Sequence, residues 1–129
     1  MPFPEEFLDL LNPETKAFLF LATVNKKGIP QVTPVWFDAD HEFIYINTNE
    51  GRLKDRNMKS QPDVAMVIQD PKNPYRYLGI RGKVISHITE GADEHIDMLA
   101  RRYDNKPWTY REGQKRIIFK IQPTHFDIH

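Results

Sequence analysis

The apolar residues of this chain fall in short runs of strand length, cut by turn signals and without regular alternation of strand and helix. Phe20-Leu-Ala-Thr-Val24, Gln31-Val-Thr-Pro-Val-Trp-Phe37 and Glu42-Phe-Ile-Tyr-Ile-Asn-Thr48 follow one another across Asn25-Lys-Lys-Gly28 and Asp38-Ala-Asp-His41, both of turn composition. Val64-Ala-Met-Val-Ile68, Tyr75 to Thr89 and Lys115 to Gln122 supply three more runs. Strands that do not alternate with helices predict an antiparallel sheet, here closed into a small barrel with helices packed outside. Pro34 sharpens this. It cannot donate a ladder hydrogen bond, so its strand has an edge, a bulge or a ligand beside it. Gly79 and Gly82 read as bends at barrel corners.

Several helices are expected around that sheet. Pro4 to Leu11 carries Phe7, Leu8 and Leu11 at helical spacing, and Asn12 caps a short helix opened by Pro13. Arg52 to Ser60 is a polar helical segment. Glu90 to Tyr103 sets Ile96, Leu99, Ala100 and Tyr103 on one stripe. Pro123 to His129 reads as a short extended tail. Val64 to Ile68 is apolar on both sides, as in a strand buried on two faces. With Ile44-Tyr45-Ile46 it leaves more apolar surface than one barrel interior absorbs, which predicts an extensive homodimer interface.

Composition narrows the function. The 129 residues suit a single domain, residues 1–129, with a real core. Lys plus Arg and Asp plus Glu both number 18, so the cationic excess that drives non-specific nucleic-acid binding is missing and no nucleic-acid partner is expected. No cysteine is present, which excludes disulfides, thiolate catalysis and Cys-based zinc sites. The apolar stretch from Ala17 to Val24 is far shorter than the ~20 residues of a membrane span. The first residues lack a signal-peptide pattern, so the expected compartment is the cytoplasm.

Familiar catalytic signatures do not occur: no G-x-G-x-x-G, P-loop, H-E-x-x-H or G-x-S-x-G. His125 and His129 have a metal-like spacing but no further ligands, so a surface tail is expected and no metal site. His87 and His95 stand alone, which favours structural roles. The carboxylates are scattered, and no residue is singled out as a catalytic acid or base.

Three stretches carry the chemistry that remains. In Asn47-Thr-Asn-Glu-Gly-Arg-Leu-Lys-Asp-Arg-Asn57 a strand ends at Thr48 and a helix begins between Arg52 and Lys54. The free N–H groups and positive dipole of a helix start bind phosphate. Arg52 and Lys54 add cations there, and Thr48 adds a hydroxyl. The same residues equally suit a solvated face with Arg52/Arg56 and Asp55/Lys59 as neighbours. The second stretch, Gly28 to Phe37, offers free backbone groups beside Val35 and Trp36, on which a flat ring with polar edges could lie; an edge strand whose Trp36 fills the core is the plainer reading. The third, Asn73-Pro-Tyr-Arg-Tyr-Leu-Gly-Ile-Arg-Gly82, suits either an aromatic and cationic rim or a dimer contact.

Taken together these stretches resemble the pyridoxamine-phosphate-oxidase-like split-barrel family. More narrowly they look like its flavin/deazaflavin oxidoreductase branch, often described as F420-dependent. Leu21-Ala-Thr-Val, Gly28-x-Pro-Gln-Val-Thr-Pro-Val-Trp-Phe37, Gly51-Arg-x-Lys-x-Arg-Asn57, Pro62-x-Val-Ala-Met, Asn73-Pro-Tyr-Arg-Tyr-Leu78 and Ile96-x-x-Leu-Ala-Arg-Arg-Tyr103 carry the likeness across about residues 17 to 123. The resemblance implies a mainly β, α+β fold: a six-stranded antiparallel split barrel with flanking helices, dimeric, with two cofactors in grooves between subunits. By it Arg52 and Lys54 hold the cofactor phosphate and Asn57 supports the adjoining chain. Asn47 and Thr48 sit near the ribityl-like chain and ring. Gln31, Thr33, Pro34, Val35 and Trp36 lie along the ring, and Tyr75 and Tyr77 approach from the partner subunit.

The function so implied is an oxidoreductase that binds F420 and passes hydride to an unsaturated small organic substrate, with FMN as the alternative cofactor. A non-catalytic flavin or tetrapyrrole carrier is the competing reading. Lys26, Lys27 and Arg76 are the cations available for the lactate and glutamates of an F420 tail, and equally suit plain surface.

Overall fold

In the computed structural model, residues 2–128 are described, so His129 of the expected tail lies outside them. Seven strands form one antiparallel sheet: β1 (Leu19–Val24), β2 (Pro30–Val35), β3 (Asp38–Ala39), β4 (Ile44–Asn49), β5 (Asp63–Gln69), β6 (Tyr77–Ile88) and β7 (Arg116–Ile128). Two α-helices accompany them, α1 (Leu53–Ser60) and α2 (Ala92–Asp104). The strand beyond the expected six is β3, a two-residue pairing in which Asp38 and Ala39 lie opposite Tyr45 and Ile44. It falls within the stretch read as a turn.

The order across the sheet is β2-β1-β5-β6-β7-β4-β3, which puts β2 and β3 at opposite edges. Yet only Trp36 and Phe37 separate these two strands in sequence. Seven flat strands at ~4.8 Å spacing would place the edges about 29 Å apart, whereas three residue steps reach at most ~11 Å. The sheet must therefore curl until its edges meet, and the result is a split barrel. Pro34 sits on β2, an edge strand, where its missing N–H breaks no ladder beyond β1. The β1–β2 hairpin turns on Gly28, whose φ of +80° favours glycine, while Asn25 Oδ1 accepts from Lys27 N and Ile29 N at 2.8 and 3.0 Å.

Alternate residues of the strands fill the interior. Leu21, Ile46, Met66, Ile80, Phe119 and Ile121 are each no more than 2% exposed, and each such side chain is worth roughly 1.5–3 kcal/mol of burial. Phe7, Leu10 and Met58 join the same core from outside the sheet. The stripe of α2 is as expected for Ile96, Leu99 and Ala100, which are buried, while Tyr103 is half-buried.

Three expectations need correction. Glu5–Leu11 and Pro13–Thr15 are 3-10 helices, so residues three apart share a face: Phe7 and Leu10 are buried and Leu8 is 45% exposed. Asn12 does cap the second, accepting from Glu14 N at 2.9 Å. The tail after Gln122 is not separate but continues β7 to Ile128. Gly82 pairs with Pro123 and Arg81 with His125, leaving Thr124 as a bulge whose Oγ1 donates to Arg81 O at 3.2 Å. That bulge carries the chain past the proline, and Gly82 permits the approach: a Cβ there would stand 2.9 Å from Ile121 Cγ2 and 3.1 Å from the Gln122 carbonyl oxygen. Finally, β5 buries one face only. Val64, Met66 and Ile68 point inward, and within this single chain Ala65 is exposed and Val67 half-buried.

Candidate functional site

α1 begins abruptly. Gly51, with φ of +91°, turns the chain out of β4, and Arg52 occupies the position before the first helical residue in an extended conformation. Serine, threonine, asparagine or aspartate is usual there because its oxygen accepts from the first turn. Arginine has no acceptor, and α1 has no side-chain cap. Asp55 does not supply one either, since its Oδ2 accepts from Gly51 N at 2.8 Å and its carboxylate is paired with Lys59 at 3.1 Å. The helix start therefore keeps its first-turn N–H groups for another acceptor.

Cations surround that start. Lys54 and Arg52 line a groove of about 280 Å³ together with Arg116 of β7. No carboxylate among the described residues lies within ion-pair distance of any of the three. Burial lowers the Lys54 pKa, and Arg52 and Arg116 lower it further. Burial likewise lowers that of Arg116, with Arg52 adding to the effect. Like charges held together against both solvation and repulsion would be relieved by an anion placed among them.

Aromatic rings form the adjoining wall. Trp36 stacks on Tyr103 with centroids 5.4 Å apart and planes 5° from parallel, and meets Trp108 edge-on at 6.2 Å. Phe18 leans on Tyr103 at 5.5 Å, and the Arg116 guanidinium covers Trp108 at 5.0 Å. Tyr103 is anchored by its hydroxyl, which donates to Ala17 O at 2.6 Å. The loop bearing Trp108 is tied to α2, where Trp108 N donates to Asp97 Oδ1 at 2.9 Å. Trp36 thus belongs to the wall beside the groove and is only half-buried, so it does not fill the core.

Of the residues expected at a site, Pro34, Val35, Trp36, Asn47, Thr48, Arg52 and Lys54 all line this one groove. The others stand elsewhere. Gln31 and Thr33 are half-buried further along β2, the Thr33 hydroxyl enclosed without a partner. Asn57 is 3% exposed and turns to β1, donating to Thr23 Oγ1 at 3.1 Å. Tyr75 stands 88% exposed on the β5–β6 loop, and Tyr77 opens β6 half-buried. Of the cations considered for an acidic tail, Lys26 and Lys27 line a second, more open groove of about 840 Å³ across α1. Arg76 is committed to Asp9 and Asp70 at 2.8 and 3.0 Å.

Sequence reading missed Arg116 and His95. Arg116 has no local signal, since its partner Asn47 lies 69 residues away. His95 is not alone: its ring lies 3.1 Å from Asn47 Nδ2 and 3.7 Å from Asp38 Oδ2. His87 does fit a structural role, tilted against Phe119 at 5.5 Å.

The family model described as pyridoxamine 5'-phosphate oxidase matches residues 3–129. The chain belongs to that family. Among solved structures, an F420 reductase is 38% identical, with a TM-score of 0.85 over 97% of this chain and 98% of its own. A putative pyridoxamine 5'-phosphate oxidase from Listeria innocua is 19% identical, with a TM-score of 0.72 over 96% and 95% of the two chains. The haem-storage protein HutZ from Vibrio cholerae is 16% identical, with a TM-score of 0.69 over 99% and 95%. These last two show the fold alone. Among curated protein sequences none matches. The likeness to the reductase supports an oxidoreductase role of flavin or deazaflavin type. No helix among the described residues is long and apolar enough to cross a membrane.

Proposed function

We propose that this pyridoxamine 5'-phosphate oxidase family member is an oxidoreductase that binds F420 in the groove and reduces an unsaturated small organic substrate. The observation that carries the reading is the set of three cations without carboxylate partners among the described residues, gathered at a helix start that has no side-chain cap. FMN is the alternative cofactor, because both molecules offer a phosphate after a ribityl-type chain. The 38% identity to an F420 reductase favours the deazaflavin.

The residues present fit such a group. Arg52, Lys54 and Arg116 would hold the phosphate, and the first-turn N–H groups of α1 add donors. Thr48 and Asn47 line the same groove and would flank the ribityl-type chain. Pro34, Val35 and Trp36 supply an apolar and aromatic strip for the ring. The bound cofactor supplies hydride transfer, and the chain need only fix its face, its electrostatics and its exposure to water. That division of labour asks no acid–base pair of the chain.

A homodimer completes the proposal. At about 280 Å³ the groove is at the lower limit of small-molecule sites, roughly 300–1,000 Å³, as suits a half-site. Beside it the outer sheet face is apolar across β2, β1 and β5, since cross-strand pairing aligns Pro34, Phe20, Val67 and Gly79 in one row and Val32, Ala22 and Ala65 in the next, a row that ends at Arg81 on β6. Val32 is 65% exposed in the single chain. A second copy on this face would bury the outer side of β5 and wall the groove, with Tyr75 free to reach across.

Parallel fluorescence titrations with F420 and FMN test the cofactor, and turnover with reduced F420 tests the chemistry. Tight F420 binding with turnover supports the proposal. FMN preference transfers it to a flavoprotein, and binding of neither overturns it.

A further inference from the structure

Asn47 lies in the groove wall, 8% exposed, and its amide serves three partners. Oδ1 accepts from Arg116 Nε at 2.9 Å, while Nδ2 donates to Ala92 O at 2.8 Å and stands 3.1 Å from His95 Nδ1. Two of these partners fix the amide orientation: arginine Nε–H can only donate and a carbonyl can only accept. Nδ2 therefore faces His95, so Nδ1 is the acceptor and the proton of the neutral ring sits on Nε2. Nε2 is enclosed without a hydrogen-bond partner and faces Asp38 Oδ2 at 3.7 Å. The other Asp38 oxygen is held by Arg102 at 3.2 Å. Burial pushes the Asp38 carboxyl up, but His95 and Arg102 outweigh it and keep the carboxyl below its usual range.

We infer that His95 is a positioning residue: through Asn47 it holds the Arg116 guanidinium where the cofactor's anionic group binds. The inference rests on the reading of the groove as a phosphate site. Its logic is one of matched donors and acceptors. A proton on Nδ1 would point at the Asn47 N–H₂. If the amide then turned over, Oδ1 would meet His95, but Arg116 Nε–H would face an N–H and the Ala92 carbonyl would lose its donor. Two good bonds would be exchanged for one, and Arg116 would keep only its stacking on Trp108. The charged or titratable groups around this unit are Asp38 from β3, Tyr45 from β4, Arg52 and Lys54 from the start of α1, Asp93, Arg102 and Tyr103 from α2 and Arg116 from β7.

The direct test needs no ligand: hydrogen exchange of the Arg116 Nε–H in nitrogen-15-labelled protein, assigned with Arg116→Lys. His95→Asn can offer an amide oxygen near the Nδ1 position, whereas His95→Gln can replace the Nε2 side and His95→Phe replaces neither. Slow exchange is expected in the wild type and His95→Asn, and exchange about fivefold faster in His95→Gln and His95→Phe. Equal exchange in all proteins, or equal acceleration in all three folded variants, overturns the inference. Calorimetric titration with inorganic pyrophosphate then checks the anion site. Binding lost in Arg52→Ala/Lys54→Ala and weakened in His95→Gln but not His95→Asn supports the full chain of contacts. No pyrophosphate binding by the wild type overturns the anion role, while the exchange experiment still decides whether His95 holds Arg116.

Discussion

Two arginines of this chain were candidates for the same kind of work, and the structure uses them in opposite ways. Arg76 is saturated: its guanidinium bonds both Asp9 oxygens, one Asp70 oxygen and the Glu6 carbonyl, and covers the Phe7 ring at 4.8 Å. It clamps the N-terminal 3-10 helix to the β5–β6 loop. Arg52 has no carboxylate partner among the described residues and stands with Lys54 and Arg116, two cations whose pKa values are lowered. A charge whose bonds are complete holds a fold together, whereas cations crowded without a neutralising carboxylate are a cost that an incoming anion relieves. Candidate ligand contacts are better sought among such crowded, unneutralised charges than among charged residues in general.

The largest expected effect would break that contrast outright. Arg52→Ala with Lys54→Ala should cost cofactor binding several kcal/mol, a hundredfold or more, because charge-assisted hydrogen bonds contribute about 1.5–3 kcal/mol each. The fold of the cofactor-free protein should survive. Unchanged affinity in a folded variant would end the phosphate assignment. Arg76→Ala should do the reverse, lowering the thermal midpoint by several degrees with cofactor affinity unchanged; a loss of affinity alone would remove the distinction.

Lys54→Met sharpens the comparison from the other side. The fold disfavours the charged lysine, so its native pKa lies below the unfolded 10.5 and the native state holds that proton less firmly. At neutral pH the cofactor-free variant should be slightly more stable than the wild type, by about 1 kcal/mol or less after solvent screening. The gap should close as pH rises through the folded pKa toward 10.5. Chemical denaturation across pH measures it, and a less stable variant would refute the strain.

The smallest effect concerns acid. Hydrogen bonds from Arg76 hold the Asp9 carboxyl below 3.8, and the Lys72 backbone N–H followed by Arg76 does the same for Asp70. Their contribution is complete above 3.8 and lost as pH falls through the lower folded values. Below 3.8 the wild type should lose part of its stability margin over Arg76→Ala. Parallel denaturation curves would show the clamp to be silent.

What was legible in the sequence was whatever is decided locally. Pro34 narrowed its strand to an edge, a bulge or a ligand-bearing position, of which the edge is the one observed. The abrupt start after Gly51 announced α1, and the stripe of α2 announced its buried face. The groove was legible where one segment supplies several residues, as Pro34 to Trp36 and Asn47 to Lys54 do. Arg116 and His95 were not, because Asn47 gathers them from 69 and 48 residues away and neither has a neighbour in sequence that signals it. The continuation of β7 past Pro123 was hidden for a related reason: the bulge that accommodates the proline needs Gly82 on the facing strand. The 3-10 character of Glu5–Leu11 lies in a choice between periods of 3.0 and 3.6 that seven residues are too few to separate.

Trp36 and Phe37 join the two edges of the sheet, and Trp36 is also part of the groove wall. The barrel's seam and the proposed cofactor groove are therefore one place. Side-chain contacts bridge that seam, with Trp36 against Tyr103 and Trp108 and Arg102 reaching the Phe37 carbonyl at 3.4 Å. Such contacts slide more readily than a hydrogen-bonded ladder, so the width of the cleft is an adjustable dimension of an otherwise stiff barrel. A molecule lodged there acts as a clasp, fastening the one line along which the wall is not laced.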